Sequence, residues 1–428
     1  MKQRLFLGAA IAAALGCAMP ATAAVTAADR LPTAGAVNLF YQGRTGALWL
    51  QSPGAVDALL AALKQGQVDG FGDGPEMAGA IERALDDRSA GVPGAAQEAE
   101  KLMSSAFVLY SQALKWPGTT RTIYADPALS PRVPTPAEVL RNAANAPDLA
   151  THVRSTASIN PLYAALKTAA ERDVRLLGEP TGALRASLER AKILPASGRY
   201  VLVDIASQQL MMMEDGQVVD RMKVVVGKPA MKTPLMAGTL RQVTFNPYWN
   251  VPVDLAATNI APNVLKHGTS WFKARGYELL SGWGANAQVI DPASIDWQAV
   301  AAGQAEARVR QKPGSSNMMG AMKFQFPNDL GIYLHDTPSK ELFGEAERTY
   351  SSGCVRLQDA ARLGRWLLGR EPRATSDRPE DQVPLAAGVP VYLTYLTVRP
   401  ETDGTLAYAP DVYGLDGVGE RTQVASAY

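Results

Sequence analysis

Cysteine and histidine are nearly absent: 428 residues contain two of the first and three of the second. Two thiols cannot staple a disulfide framework, and so few Cys and His cannot build an ordinary zinc site. Charge of one sign is also missing. Lys and Arg number 42 against 41 Asp and Glu, a net of +1, which gives no footprint for nucleic acid. Beyond the first residues there is no apolar run long enough to read as a membrane span. What is present is bulk: 47% hydrophobic residue types and 19% charged, enough for a sizeable core and more than one domain.

Residues 1–23 read as a secretory signal peptide. Lys2 and Arg4 make the basic start, Leu5 to Leu15 the apolar run, and Ala21-Thr22-Ala23 the small-residue cleavage site. A competing reading takes Ala14-Leu15-Gly16-Cys17 as a lipobox and Cys17 as a lipidated N-terminus; Ala rather than Leu at its first position argues against it. Ordinary cleavage removes Cys17. Cys354 is then an unpaired thiol in an exported chain, which marks it as a candidate reactive group.

Residues 24–195 carry helical periodicity. Ser52-Pro53 reads as an N-cap and first-turn proline ahead of Val56, Leu59, Leu60 and Leu63, with Gly66 as the stop. Residues 95–115 repeat Leu102, Ala106, Leu109 and Ala113 on one stripe. Thr135-Pro136-Ala137-Glu138 spells a capping box. Asn160-Pro161 opens a helix running through Leu177, and Gly182 to Ile193 forms another. Nothing here converges on chemistry; His152 is expected on the solvated surface. The region reads as a helical scaffold.

The period changes after Pro195-Ala196-Ser197-Gly198. Tyr200 to Ile205 alternates, Met211 to Met213 continues, Glu214-Asp215-Gly216-Gln217 is a hairpin signal, and Val218 to Val226 returns. Gln242 to Val251 and Val389 to Val398 also read as strands. Residues 196–398 therefore form a β-rich domain without regular βαβ alternation, followed by a C-terminal hairpin and tail at 399–428, marked by Asp403-Gly404. Leu357 to Leu368 reads as a helix with Leu357, Ala361, Gly364 and Leu368 on one face. Residues 254–323 are a long stretch interrupted by Gly and Pro and carrying Trp271, Trp283 and Trp297. Insertions of that kind are often lids. Arg308, Arg310 and Lys312 alternate within it, as contacts for carboxylates or as a solvated sheet edge. His267 is given no catalytic role.

The chemistry concentrates in Gly331 to Arg356. Ile332-Tyr333-Leu334 reads as a strand delivering His335, and Ser351-Ser352-Gly353 as a turn delivering Cys354. A free thiol has a pKa of about 8.5 and needs a base to attack a carbonyl at neutral pH. An imidazole supplies one, and backbone amides around Ser352, Gly353 and Cys354 could hold the oxyanion. Taken singly, a Cys is most often a small buried hydrophobe and a His a satisfied polar group. The two in one window around such a turn favour a cysteine nucleophile.

This pattern resembles the catalytic motif of the L,D-transpeptidases, the YkuD domain family: a His, a spacer, then Ser/Thr-x-Gly-Cys, an apolar residue and Arg or Asn. Here those are His335, Ser351, Ser352, Gly353, Cys354, Val355 and Arg356. The wording HDTPSKELF and SSGCVR is closest to the large periplasmic YcbB-type branch, and Ser352, where many members carry a second His, is a marker of that branch. The resemblance covers roughly the second half of the chain.

It implies an α+β multidomain protein: a helical scaffold, then a β-sandwich catalytic domain with a capping loop at about 254–323. The implied reaction is periplasmic 3–3 cross-linking of peptidoglycan stems. Cys354 would attack the carbonyl of the third residue of a tetrapeptide stem, D-Ala would leave, and a second stem's amine would resolve the thioester. His335 would be the base and acid, Ser351 and Gly353 would shape the turn, and the backbone at Ser352 and Gly353 would hold the oxyanion. Arg356 would anchor a substrate carboxylate or brace the turn. Asp336 is not expected in a triad, because its side chain should point elsewhere. No metal or organic cofactor is implied. The partners are donor and acceptor stems and other cell-wall synthesis proteins, with no nucleic acid and no transmembrane segment after cleavage. Two rivals stand beside this: the same thioester passed to water, a D-amino acid or a protein lysine, and a non-catalytic wall scaffold.

Overall fold

Apolar faces at helical spacing drive the N-terminal half together. The computed structural model describes residues 26–417 other than 117, 119, 179, 285, 402 and 404; the segment 1–23 expected to be a signal peptide, and Cys17 within it, lie outside them. Eight helices come first: α1 (Ala34–Gln42), α2 (Ala55–Lys64), α3 (Gly74–Ser89), α4 (Ala95–Lys115), α5 (Pro136–Ala144), α6 (Leu149–Thr156), α7 (Pro161–Leu177) and α8 (Gly182–Ala191). The capping box of Thr135 and Glu138 is formed, and the Asn160 side chain accepts from Tyr163 N. Ser52 does not cap α2. Gly54, at φ 69°, stands at the N-cap, and Ser52 Oγ instead donates to the Leu48 carbonyl at 2.7 Å.

Helix α4 is the axis of this half and is buried on more than one stripe, with Met103, Phe107, Val108 and Tyr110 enclosed beside Leu102 and Ala106. Its buried Glu100 accepts from the amides of Leu48 (2.8 Å), Trp49 (3.0 Å) and Leu50 (2.7 Å) and from Tyr41 Oη (2.7 Å). Charge-assisted bonds of this kind offset the cost of burying the carboxylate. His152 is not on the solvated surface: its ring lies half-buried, edge-on to Phe107 at 5.8 Å. Its neighbours in sequence are small and polar, but α6 lays the ring against Phe107 of α4. Among the described residues no helix is long and apolar enough to cross a membrane.

A short strand, β1 (Ile123–Tyr124), leaves the helices and pairs in parallel with the sheet that follows. That sheet begins with β2 (Arg199–Asp204), β3 (Gln209–Glu214), β4 (Gln217–Gly227) and β5 (Met236–Phe245). The β3–β4 turn has Asp215 at φ 48° and Gly216 at φ 77°, the left-handed pair that a tight hairpin needs. The run expected at 242–251 is broken. Strand β5 ends at Phe245, Asn246 takes φ 48°, and β6 (Trp249–Asn250) belongs to another sheet.

Residues 249–311 form the cap. It contains β6, a helical run from α9 (Val253–Leu255) to α10 (Ala261–Ala274), β7 (Tyr277–Leu280), β8 (Val289–Ile290), α11 (Trp297–Ala301) and β9 (Arg308–Gln311). Its sheet order is β6-β9-β7-β8, over its own core of Val251, Ile260, Phe272, Leu279, Trp297 and Val309. The cationic stripe is not a sheet edge, because β9 lies between β6 and β7. Arg310 is spent on Glu278 (2.8 Å) and on the face of Tyr248 (4.2 Å). Buried Asn317 ties the two roots together, donating to the carbonyls of Pro247 (3.0 Å) and Lys312 (2.9 Å).

The main sheet resumes with β10 (Met322–Gln325), β11 (Tyr333–His335), β12 (Thr349–Ser351), β13 (Val355–Leu357) and β14 (Asp381–Thr394). Its order is β1-β5-β10-β11-β13-β4-β3-β2-β14, and β14 also pairs with β5, so the sheet closes on itself. Alternation sends Val201, Leu210, Val224, Val243, Phe324, Leu334, Val355 and Val391 into one enclosed core. Leu357 ends β13 rather than opening a helix. Asp359 caps α12 (Ala360–Leu368), whose buried face is Ala360, Leu363, Gly364 and Leu367. Gly364 does allow close packing: a Cβ there would sit 3.1 Å from Pro372. A terminal hairpin of β15 (Val398–Pro400) and β16 (Leu406–Tyr408) follows, and Val398 packs into the helical core.

Candidate active site

Two parallel strands build the site. Leu334 pairs with Val355 and His335 with Arg356. The odd register turns Leu334, Val355 and Leu357 inward, fully buried. Tyr333, His335 and Arg356 therefore share the opposite face, and Cys354, one residue before β13, joins them. The Tyr333 amide donates to the Cys354 sulfur. The thiol in turn donates to the Gly331 carbonyl at 3.5 Å. That carbonyl is placed by Asn328, which donates to Ile332 O (2.9 Å) and accepts from Ile332 N (3.0 Å). The structure brings Cys354 and His335 onto neighbouring strands of one face but shows no hydrogen bond between them among the described residues. Such bonds commonly tighten only with substrate in place.

His335 is 4% exposed. Its Nδ1 lies 2.5 Å from the Asp336 carbonyl oxygen. A carbonyl only accepts, so Nδ1 carries the proton and Nε2 keeps the lone pair. Burial, and then the Arg356 charge, lower its pKa to about 4. Burial also pushes the Cys354 thiol up, against smaller opposing effects of the Tyr333 amide and Arg356. The pair therefore stands neutral at neutral pH. Asp336 points away, as its side chain accepts from Ala321 N (2.9 Å) and pairs with Lys340 (2.6 Å). Arg356 is half-buried, and its guanidinium has no hydrogen bond or ion pair among the described residues. Burial lowers its pKa, while the fields of Cys354 and Glu341 act the other way.

The turn is closed by Ser351, whose Oγ donates to the Cys354 carbonyl at 2.6 Å and accepts from Gly353 N at 3.2 Å. The Gly353 amide is thus used inside the turn, leaving those of Cys354 and Ser352 unpartnered among the described residues. Gly353 takes φ 114°, where a side chain would be strained and a Cβ would meet Ile332 Cδ1 at 3.3 Å. Sequence reasoning missed the supports around this turn. Lys228 N donates to the Ser351 carbonyl at 2.9 Å, and Thr233 Oγ1 to the Gly353 carbonyl at 2.8 Å. Buried Arg348 donates to the carbonyls of Val224 (3.1 Å), Glu345 (2.9 Å) and Gln208 (3.1 Å). Lys323, directly across from His335, is held by Glu380 at 2.8 Å. No local pattern marks these residues, because their partners are far along the chain.

Beside His335 a cleft of about 260 Å³ opens at the cap root, lined by Asn246, Ser315, Gly320, Asp336, Thr337 and Pro338 among others. A larger cavity of about 360 Å³ lies inside the cap, among Phe272, Tyr277, Glu278 and Lys312, away from the thiol. Among the described residues no three His, Cys, Asp or Glu side chains gather to hold a metal.

Residues 198–393 match the family model of the L,D-transpeptidase catalytic domain, YkuD, and residues 35–169 match that of the Scaffold domain. A relative named "Putative L,D-transpeptidase", from Haemophilus influenzae, is 32% identical over 243 residues, which is 55% of this chain and 48% of the relative. The chain thus spans about half the length of that curated relative. Among solved structures, the L,D-transpeptidase from Mycobacterium smegmatis has 13% identity and a TM-score of 0.21, over 47% of this chain and 60% of that one. The Ldtfm–avibactam carbamoyl enzyme has 12% identity and a TM-score of 0.23, over 47% and 50%. Similarity at that level says nothing about the site. The catalytic match runs from β2 into β14 and the scaffold match covers most of the helices ahead of it, so this chain carries an L,D-transpeptidase catalytic domain of the YkuD kind at 198–393 behind a Scaffold domain.

Proposed function

We propose that this chain is a peptidoglycan L,D-transpeptidase that forms 3–3 cross-links through a thioester on Cys354. One observation carries the reading: a half-buried thiol, a neutral imidazole and an uncompensated guanidinium share one face of β11 and β13.

Because both partners start neutral, the thiol proton passes to His335 Nε2 as sulfur attacks the third-residue carbonyl. The S–C bond forms, and the oxyanion is met by the free Cys354 amide. His335 then returns the proton to the departing D-Ala amine as the C–N bond breaks. An acceptor amine attacks the thioester in the second half, giving up its proton to the same imidazole. Arg356 takes a stem carboxylate, which a cation without a protein partner is suited to hold. The cap rooted at Asn317 limits water over the thioester, and its place between β5 and β10 supports the YcbB-type reading. The signal peptide at 1–23 supports a periplasmic location.

The test is incubation of purified protein with disaccharide-tetrapeptide, alongside Cys354→Ala, with intact mass and muropeptide products read together. A Cys354-dependent dimer joined through two third-position residues is expected. Loss of D-Ala without a dimer would move the acceptor to water or an amino acid. No Cys354-dependent change in folded protein would overturn the enzyme reading.

A further inference from the structure

The peptide between Gly353 and Cys354 is held from outside the catalytic strands. Its carbonyl accepts from Thr233 Oγ1 at 2.8 Å. No peptide bond among the described residues is cis, so the amide of the same unit points the opposite way. That amide, Cys354 N–H, has no partner among the described residues. Gly353 imposes little orientation of its own. Whatever fixes its carbonyl therefore fixes the direction of the Cys354 N–H.

Thr233 is itself fixed. Its Oγ1 accepts from Gly227 N at 2.9 Å, and its amide donates to the Tyr413 hydroxyl at 3.2 Å. The same hydroxyl donates to the Gly227 carbonyl. Gly227 leaves no room for a substitute, since a Cβ there would lie 2.2 Å from the Met231 carbonyl. Tyr413 lies beyond the residues matched to the catalytic domain and is buried by the chain's late segment. Its ring stacks on Tyr395 at 5.4 Å, its amide donates to Tyr395 Oη at 2.9 Å, and its carbonyl accepts from Lys232 Nζ at 2.6 Å. Arg190 of α8 donates to the carbonyls of Tyr395 (2.8 Å) and Leu415 (2.6 Å) and to Asp416 (2.7 Å). A continuous set of bonds thus runs from a scaffold helix through residues 411–416 to the nucleophile turn.

We propose that Thr233 and Tyr413 are positioning residues for acyl transfer: Thr233 aims the Cys354 amide at the oxyanion, and Tyr413 holds Thr233. This rests on the thioester reading above. Two rates separate the claims. One is D-Ala release from disaccharide-tetrapeptide in a single turnover, which passes through an oxyanion. The other is alkylation of Cys354 by iodoacetamide, a displacement at saturated carbon that builds none.

Thr233→Val is expected to slow D-Ala release on the order of 100-fold and to leave alkylation unchanged, with Thr233→Ser restoring release. Tyr413→Phe, which removes one hydroxyl, is expected to slow release by about 10-fold, again without effect on alkylation. Wild-type release in Thr233→Val would overturn the proposal, as would an equal fall in both rates or no rescue by Ser. Wild-type release in Tyr413→Phe would overturn the part assigned to the tyrosine. A wild-type protein that is alkylated but releases no D-Ala would instead overturn the thioester reading beneath it.

Discussion

The His335 imidazole is 4% exposed, and that burial is the main reason its pKa falls from 6.5 to about 4. The folded chain keeps it neutral where the unfolded chain would take a proton. Its contribution to stability, about 3 kcal/mol from the shift, is whole above pH 6.5 and is lost as pH falls toward 4. Urea titrations of wild type and His335→Gln between pH 7.5 and 4.5 should show a smaller acid loss in the variant; equal losses would contradict the assignment. Cys354 is displaced the other way, its thiol raised by burial. Iodoacetamide alkylation should climb without a plateau from pH 6 to 9, whereas a plateau near neutrality would reveal a thiolate–imidazolium pair. Arg356→Gln removes the uncompensated cation. It should raise KM for tetrapeptide by about 10-fold or more, with a smaller effect on kcat. The chemistry-bearing residues were legible because Cys and His are so rare that each one present stands out. What those residues lean on was not. Arg348 and Lys323 are ordinary polar letters whose partners at Val224, Gln208 and Glu380 appear only when distant strands meet.

Elements with a strong local code were readable: the capping box at Thr135, the Asn160 cap of α7 and the Asp215-Gly216 turn all form. Errors arose where tertiary contacts overrode local preference. Ser52 turned back to the Leu48 carbonyl ahead of α2, Leu357 stayed in β13 to fill the core of the closed sheet, and the stripe at 308–312 became an inner strand because β6 and β7 pair on either side of β9. Parallel pairing of β11 with β13 has no sequence signature at all, yet it sets the register of His335 against Arg356. The turn before β13 is the element most exposed to substitution. Gly353→Ala forces a side chain onto φ 114° and against Ile332. It should cost about 1–3 kcal/mol and abolish D-Ala release, as checked by thermal melting and product assay on the same sample.

At the scale of the molecule, the scaffold and the catalytic sheet share material. Strand β1 leaves the helices to extend the sheet, and Val398 leaves the sheet to fill the helical core. Damage in one half should therefore be felt in both. Glu100→Ala strands the backbone amides of Leu48, Trp49 and Leu50, at a cost of about 3 kcal/mol or more. Calorimetry should show one transition moved to lower temperature; two separate transitions would mean that the halves unfold independently. The brace on the nucleophile turn adds an order in time. A ribosome makes Cys354 well before Tyr413, so the strands bearing the thiol can pair while the threonine behind it is still unsupported. The newborn chain holds its nucleophile before the turn around it is fully braced, and the last support arrives with the segment that follows β16.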